Sequence, residues 1–129
     1  DPQNLANTVW AFATVNHIVP TLFEAVAETA MESRLRGFNP QDLANTVWAF
    51  AKQNHVAPKL FDAVAEMTVD CSLRGVNPQG LVNTIWAFAK LSHAAPKLFD
   101  VVAATAVEHR LRDFSAQNLA NAVWAFATV

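Results

Sequence analysis

Residues 39–52, Asn-Pro-Gln-Asp-Leu-Ala-Asn-Thr-Val-Trp-Ala-Phe-Ala-Lys, determine the architecture, because near-copies of this segment return along the chain at a period of 38 residues. Its tryptophan appears as Trp10, Trp48, Trp86 and Trp124. A histidine, a proline and a Leu-Arg pair follow each complete copy at constant spacing. A fixed period of this length indicates a stacked repeat architecture. The chain therefore divides into units 1–38, 39–76, 77–114 and a partial unit 115–129, which together form a single array.

Each unit is predicted to contain two helices, called A and B here. Helix A starts at a residue that is a good N-cap, and a proline follows in three of the units, where its fixed φ and missing N–H cost nothing. The N-cap residues are Asp1, Asn39, Asn77 and Ser115.

A corner separates helix A from helix B. The residue before Pro20 avoids helical backbone angles, whereas a proline suits the first turn of a new helix. Helix A is therefore expected to end near Asn16. His17, which recurs in each complete unit, is expected to cap this end. Helix B is expected to run from about Pro20 to Leu35. Gly37, and Gly75 in the second unit, are placed for a left-handed C-cap.

Helix A is amphipathic, because its apolar residues fall on one face roughly 160° wide. Those residues are Leu5, Ala6, Val9, Trp10, Phe12 and Ala13. A helical pair cannot bury such a face alone, so successive pairs must stack. We therefore predict an all-α fold, an α-solenoid superhelix of 38-residue two-helix repeats, with A helices lining one concave surface and B helices outside.

The last A helix would expose apolar residues such as Val123 and Trp124 without a neighbour. We expect the sequence to be a slice of a longer solenoid, in which further repeats or a protein partner cover this helix.

Composition excludes several classes of protein. With 53% hydrophobic and 16% charged residues and one cysteine, the chain is neither disordered nor a disulfide scaffold. No apolar run reaches the roughly 20 residues of a membrane span. The net charge of −2 supplies no general positive field for nucleic acid. Any targeting signal is expected outside these 129 residues.

Catalysis and metal binding are not expected. The sequence has no glycine-rich phosphate loop, and each candidate acid is repeated in a neighbouring unit, which is typical of a surface feature. The one histidine per unit would recur about 10 Å apart, too far for one metal ion. We predict that the chain is not an enzyme and has no cofactor or metal.

A polar ridge is predicted along helix A, formed by Gln3, Asn7, Ala11 and Thr14 and their equivalents in later units. The amides of this ridge are suited to contact base edges or 2′-hydroxyls. An amide ladder between neighbouring repeats is the alternative, because the same amides recur in every unit. The predicted RNA-binding amides are Gln3, Gln41, Gln79, Gln117, Asn7, Asn45, Asn83 and Asn121.

Position four of each unit varies while its neighbours stay fixed: Asn4, Asp42, Gly80 and Asn118. Variation inside a fixed frame suggests a position that reads one base per repeat. A capping role at the third helical position is the alternative.

Charged residues are segregated. Lysines lie near the A–B corner, among them Lys52 and Lys90, which we predict to contact RNA phosphates. Acids are spaced to line the outer face of helix B, where they are either a solvated face or a surface that repels phosphate.

The tryptophans are suited to stack on bases, but filling the space between helices is the more ordinary role of such a large ring.

The motif of residues 39–52 resembles that of the octotricopeptide repeat, a 38-residue helical pair whose first helix carries Pro-Gln-x-Leu-Ala-Asn-Thr-Leu-Trp-Ala-Leu-Ala-Lys. It is also similar to the helical repeats that precede RAP domains. The resemblance covers the entire chain, and it implies an organellar RNA-binding protein that acts in maturation, stability or translation of chloroplast or mitochondrial transcripts.

Two functions are compatible with these observations. The first is a sequence-selective module that binds single-stranded RNA. The second is a protein-binding scaffold or structural subunit of a larger assembly that uses the same helical surface. RNA binding is expected to depend steeply on salt, and protein binding is expected to be less sensitive to it.

Overall fold

The computed structural model describes residues 1–70, 78–108 and 116–128, and within them the chain forms seven α-helices and no strands. The helices are α1 (Pro2–Thr14), α2 (Pro20–Glu32), α3 (Pro40–Lys52), α4 (Pro58–Asp70), α5 (Pro78–Lys90), α6 (Pro96–Glu108) and α7 (Ala116–Thr128). The odd-numbered helices are A helices and the even-numbered ones are B helices. The predicted all-α fold of helical repeats is confirmed.

The predicted N-caps are confirmed at the first two A helices. The Asp1 Oδ1 atom accepts a hydrogen bond of 2.8 Å from the Asn4 N–H. At α3, Asn39 and Asp42 form a capping box, in which the Asp42 N–H donates to Asn39 Oδ1 at 2.7 Å and the Asn39 N–H donates to Asp42 Oδ2 at 3.1 Å. Each bond satisfies an N–H group that the first helical turn leaves unpaired. Asn77 and Ser115 lie outside the described residues.

Helix A ends in a Schellman motif, and the histidine of each unit takes part in it. The His17 N–H donates to the Phe12 carbonyl at 2.9 Å, and Asn16 before it has a φ of 56° and donates to the Ala13 carbonyl at 3.1 Å. The same bond recurs from His55 and His93, at 2.8 and 2.9 Å. The predicted capping by histidine is confirmed, and it is made by the backbone.

Helix B ends earlier than predicted. In the first unit α2 ends at Glu32 rather than Leu35. The Leu35 N–H donates to the Ala30 carbonyl at 3.0 Å, and Arg34 has a φ of 53°, so Arg34 takes the left-handed position that was expected at Gly37.

Gly37 is also left-handed, with a φ of 77°, but it lies in the turn beyond that cap. A Cβ atom there would lie 3.1 Å from Pro2 Cγ, so both the backbone angle and this close approach favour glycine in the turn. Gly75 lies outside the described residues.

The A helices pack directly against one another, α1 on α3, α3 on α5 and α5 on α7, whereas successive B helices touch much less. Alanines make the close approach possible: Ala44 and Ala49 are buried on the two flanks of α3. Closer packing on the A side is the arrangement that curves an array toward its A helices.

Between the two layers lies the core, in which Phe23 packs on Phe50 and Phe61 on Phe88, each pair with ring centroids 4.9 Å apart. No helix among the described residues has the length and apolar character needed to cross a membrane.

Candidate nucleic-acid interface

The two middle A helices, α3 and α5, expose only a narrow line of side chains, which we call the A stripe together with the equivalent positions of α1 and α7. Beside these positions α1 also exposes Asn4, Thr8 and Ala11. In the middle helices α3 and α5 almost everything else that is described is buried, apart from the half-buried Pro40 in the first turn of α3. The stripe comprises Gln41, Asn45, Trp48 and Lys52 in α3, Gln79, Asn83, Trp86 and Lys90 in α5, Gln3, Asn7, Trp10 and Thr14 in α1, and Gln117, Asn121, Trp124 and Thr128 in α7.

The stripe is narrow because a middle A helix is covered on three sides. Its members are spaced i, i+4, i+7 and i+11, which at 100° per residue spans an arc of only about 60°. The flanks are covered by the neighbouring A helices and the opposite face by the B layer. The third member of the predicted ridge is exposed in α1, at Ala11, but the prediction is wrong in the later A helices, where the equivalents Ala49, Ala87 and Ala125 are fully buried.

Tryptophan takes that place in the stripe. It also lies at the edge of the apolar face, as predicted, because Trp48 and Trp86 pack against the hydrophobic core. Trp10 is 45% exposed and Trp124 is 43% exposed, and Trp48 and Trp86 are half-buried. The rings of Trp10 and Trp48 lie with their centroids 6.5 Å apart and their planes at 35°. The i, i+4, i+7, i+11 spacing from Gln3 to Thr14 is the sequence signal that would have placed the ring there.

The amides of the stripe interact along a helix. Gln41 Nε2 donates to Asn45 Oδ1 at 3.0 Å, within α3. This bond joins two amides of one helix, so it does not support the ladder alternative, in which amides pair between neighbouring A helices. A side-chain amide that does bridge repeats is Gln53, outside the stripe, whose Nε2 donates to the carbonyl of His17 at 2.8 Å and to that of Phe12 at 3.3 Å.

Position four lies off the stripe. Asp42 is only 5% exposed and belongs to the capping box of α3, as the capping alternative predicted. Gly80 is buried as well, Asn118 is half-buried and Asn4 is exposed. Asp42 and Gly80 are enclosed by the array, so we leave position four out of the candidate interface.

The charges are divided between the two faces. Lys52 and Lys90 are exposed at the ends of their A helices, and no acid belongs to the A stripe. Lys59 and Lys97 lie at the same corner, as the second residues of α4 and α6, and they also line grooves between B helices. Seven acids of the B helices are exposed, as predicted: Glu24, Glu28, Glu32, Asp62, Glu66, Asp70 and Asp100. Arg74, Arg110, Arg112 and the side chain of Glu108 lie outside the described residues.

The histidine rings pack in the protein rather than converging on one another. The centroid of the His55 ring lies 5.8 Å from the ring centroid of Phe23 and 5.4 Å from that of Phe50. His93 Nε2 lies 2.6 Å from Asp62 Oδ1. In the part of the chain that the structure describes, no group of three or more His, Cys, Asp or Glu residues is arranged to hold a metal ion.

Comparison with known families accounts for the whole chain. Residues 1–129 match the family described as RNA-editing substrate-binding complex 6 protein. The chain belongs to this family. No curated protein matches it.

Membership in the RNA-editing substrate-binding complex 6 family assigns the chain a general role in RNA processing, as a helical RNA-associated protein. The name also implies that RNA and protein are both partners in such a complex. The finer resemblance to the octotricopeptide repeat stays a prediction, since the matching family is a different one.

Proposed function

We propose that the A stripe binds single-stranded RNA. The observation that carries this proposal is that every A helix presents the same set of side chains on one line, one tryptophan and two amides, with a lysine added in α3 and α5. In α3 and α5 the tryptophan and the second amide of the set are half-buried. Tryptophan rings stack on unpaired bases, amides bond to base edges and 2′-hydroxyls, and lysines neutralise phosphates. These are the groups that a single-strand site requires.

The distribution of charge supports the same side of the array. RNA carries a negative charge on each nucleotide, and the B helices expose seven acids, whereas the A stripe contains none. A phosphate chain is therefore repelled from the B side and tolerated on the A side. The rings of Trp10 and Trp48, whose centroids are 6.5 Å apart, place the aromatic groups of two repeats next to each other.

In this proposal the chain is a non-catalytic binding module that acts on organellar transcripts in their maturation, stability or translation. An organellar location accords with a family named for RNA editing. Because Gln, Asn and Trp recur unchanged and the lysines contact phosphates, we expect the stripe to hold the strand uniformly, and any sequence selectivity to come from residues beside it.

The test uses the tryptophans themselves, because all four tryptophans of the chain belong to the A stripe. Titration with a single-stranded RNA of about 12 nucleotides, within the range of known single-strand sites, should quench tryptophan emission as bases stack. Two double variants with the same change in charge are compared: Lys52→Gln with Lys90→Gln on the stripe, and Lys59→Gln with Lys97→Gln on the B side.

We expect the stripe variant to bind more weakly and to reduce the slope of log K against log salt by roughly 1.4, which is about 0.7 for each phosphate of a single strand that a lysine no longer neutralises. The B-side variant should keep the parent slope. Equal effects of the two variants, or no quenching at near-physiological salt, would reject RNA binding by the stripe and favour the protein-binding scaffold on that surface.

A further inference from the structure

Two grooves open on the side of the molecule formed by the B helices, and we call them the B grooves. The first lies between α2 and α4 and has a volume of about 520 Å³, and the second lies between α4 and α6 and has a volume of about 760 Å³. Both volumes are in the range of ordinary ligand pockets. Their linings are related by the repeat, for example through Leu60 and Leu98, so a groove of this kind is a property of the unit.

The B grooves exist because the two layers pack differently. Alanines let the A helices approach closely, whereas the B helices touch one another little. The space left between neighbouring B helices is floored by apolar side chains: Ala27, Met31, Ala57 and Leu60 in the first groove, and Ala65, Val69, Ala95 and Leu98 in the second. At the first groove Val56 is also 64% exposed.

One wall of each groove is acidic. Glu24 and Glu28 line the first, and Asp62, Glu66 and Asp70 line the second. Against them stands one lysine per groove, Lys59 or Lys97. Apolar floors bordered by an excess of carboxylates are complementary to a segment that carries both apolar and cationic side chains.

The acids also repel one another. In α4, Asp62, Glu66 and Asp70 are spaced i, i+4 and i+8, and α2 has the same spacing in Glu24, Glu28 and Glu32. Like charges at i, i+4 destabilise a helix. Among the described residues the one side-chain hydrogen bond that these acids form is that of Asp62 with His93. A cationic partner would relieve this repulsion in both helices.

We propose that the B grooves dock a basic, partly apolar segment of a protein partner, with aliphatic side chains on the groove floors and Lys or Arg side chains on the acidic walls. RNA does not fit this surface, because its phosphates would face the same carboxylates. The proposal does not depend on RNA binding by the A stripe. It gives the array two separate binding faces, the A stripe and the B grooves.

The test uses three synthetic peptides of equal length as probes: one of Leu and Lys, one of Leu and Glu, and one of Ser and Lys. Binding of each fluorescein-labelled peptide to the 129-residue chain is followed by fluorescence anisotropy. We expect the Leu-Lys peptide to bind and the other two to bind at least tenfold more weakly, since each lacks one of the two complementary features. Equal binding of the Leu-Glu or the Ser-Lys peptide would overturn the proposal.

Matched variants locate the site on the chain. Glu28→Gln with Glu66→Gln removes one lining acid from each groove, and Glu32→Gln with Asp100→Asn removes two exposed B-helix acids that line neither. We expect about tenfold weaker binding of the Leu-Lys peptide for the first pair, roughly threefold per charge, and less than twofold for the second. Equal losses would mean non-specific attraction and would overturn the proposal.

Tryptophan emission separates this site from the RNA site. Unlabelled Leu-Lys peptide should leave the emission unchanged, because the tryptophans belong to the A stripe and not to the B grooves. Quenching of the kind expected for RNA would locate the peptide on the A stripe and overturn docking in the grooves. A failure of RNA to bind, in contrast, leaves the peptide measurements unaffected.

Discussion

Truncation of Phe50 should destabilise the array far more than the same truncation of Phe12, although the two residues occupy the same position of the repeat. Phe50 is fully buried, and the centroid of its ring lies 4.9 Å from the ring centroid of Phe23 and 5.4 Å from that of His55. Replacing a buried phenylalanine with alanine costs about 3 to 5 kcal/mol, and we take the middle of this range, about 4 kcal/mol, for Phe50→Ala. Phe12 is half-buried, with a ring contact to His17, so Phe12→Ala should cost about 2 kcal/mol.

Urea unfolding followed by circular dichroism measures both changes. With a slope of about 2 kcal/mol/M, a loss of 4 kcal/mol lowers the midpoint by about 2 M. Phe88 packs on the equivalent rings one repeat later, those of Phe61 and His93. Phe88→Ala should therefore lower the free energy of unfolding by the same amount as Phe50→Ala, to within about 1 kcal/mol. Phe50→Leu, expected to cost about 1 to 2 kcal/mol, serves if the alanine variant does not fold. A cost for Phe12→Ala equal to that for Phe50→Ala would show this prediction to be wrong. It would mean that burial by neighbouring repeats does not determine how much each phenylalanine contributes to the free energy of unfolding.

Three further substitutions test the local structure by the same unfolding measurement. Asn54 has a φ of 54° at the end of α3, so Asn54→Ala should lose about 1 kcal/mol while Asn54→Gly should not; equal losses would contradict the left-handed cap. Asp42→Ala breaks the capping box and should lower the free energy of unfolding by about 1 kcal/mol. It should leave the quenching of tryptophan by RNA unchanged, and a changed base preference would instead support base reading by position four. Gln53→Leu, which copies Leu91 of the next unit, removes the side-chain bonds to the first unit and should cost about 1 kcal/mol; an unchanged midpoint would show that the bridge is dispensable.

The fold could be predicted from the sequence because each local signal agrees with the period. The 38-residue spacing of the tryptophans defines the unit, and Asp1, Asn39 and Pro20 mark helix starts that the structure confirms. The end of helix B, in contrast, lies before the predicted Leu35. A cap whose left-handed residue is Arg34 leaves no glycine in the sequence to mark it.

The site could be predicted only in part, because exposure in a solenoid depends on neighbours that a single helix pattern does not show. The stripe amides and Lys52 are on the surface as expected. The helical period places Ala49 on the same face as the stripe amides, yet the neighbouring A helix buries it. Trp48 packs against the core as its chemistry predicts, yet it stays half-buried on the same line of side chains as the stripe amides. Asp42 varies between units as a contact residue would, yet it is held in the capping box of its own helix.

Binding of RNA along the A stripe is tested most directly by ultraviolet crosslinking of the chain to a single-stranded RNA at near-physiological salt, with mass-spectrometric mapping of the crosslinked residues. We predict crosslinks within α1, α3, α5 and α7, centred on the tryptophans, and none on the acidic face of α2 and α4. Crosslinks concentrated on the B helices, or none between Gln3 and Lys90, would be incompatible with RNA on the A stripe.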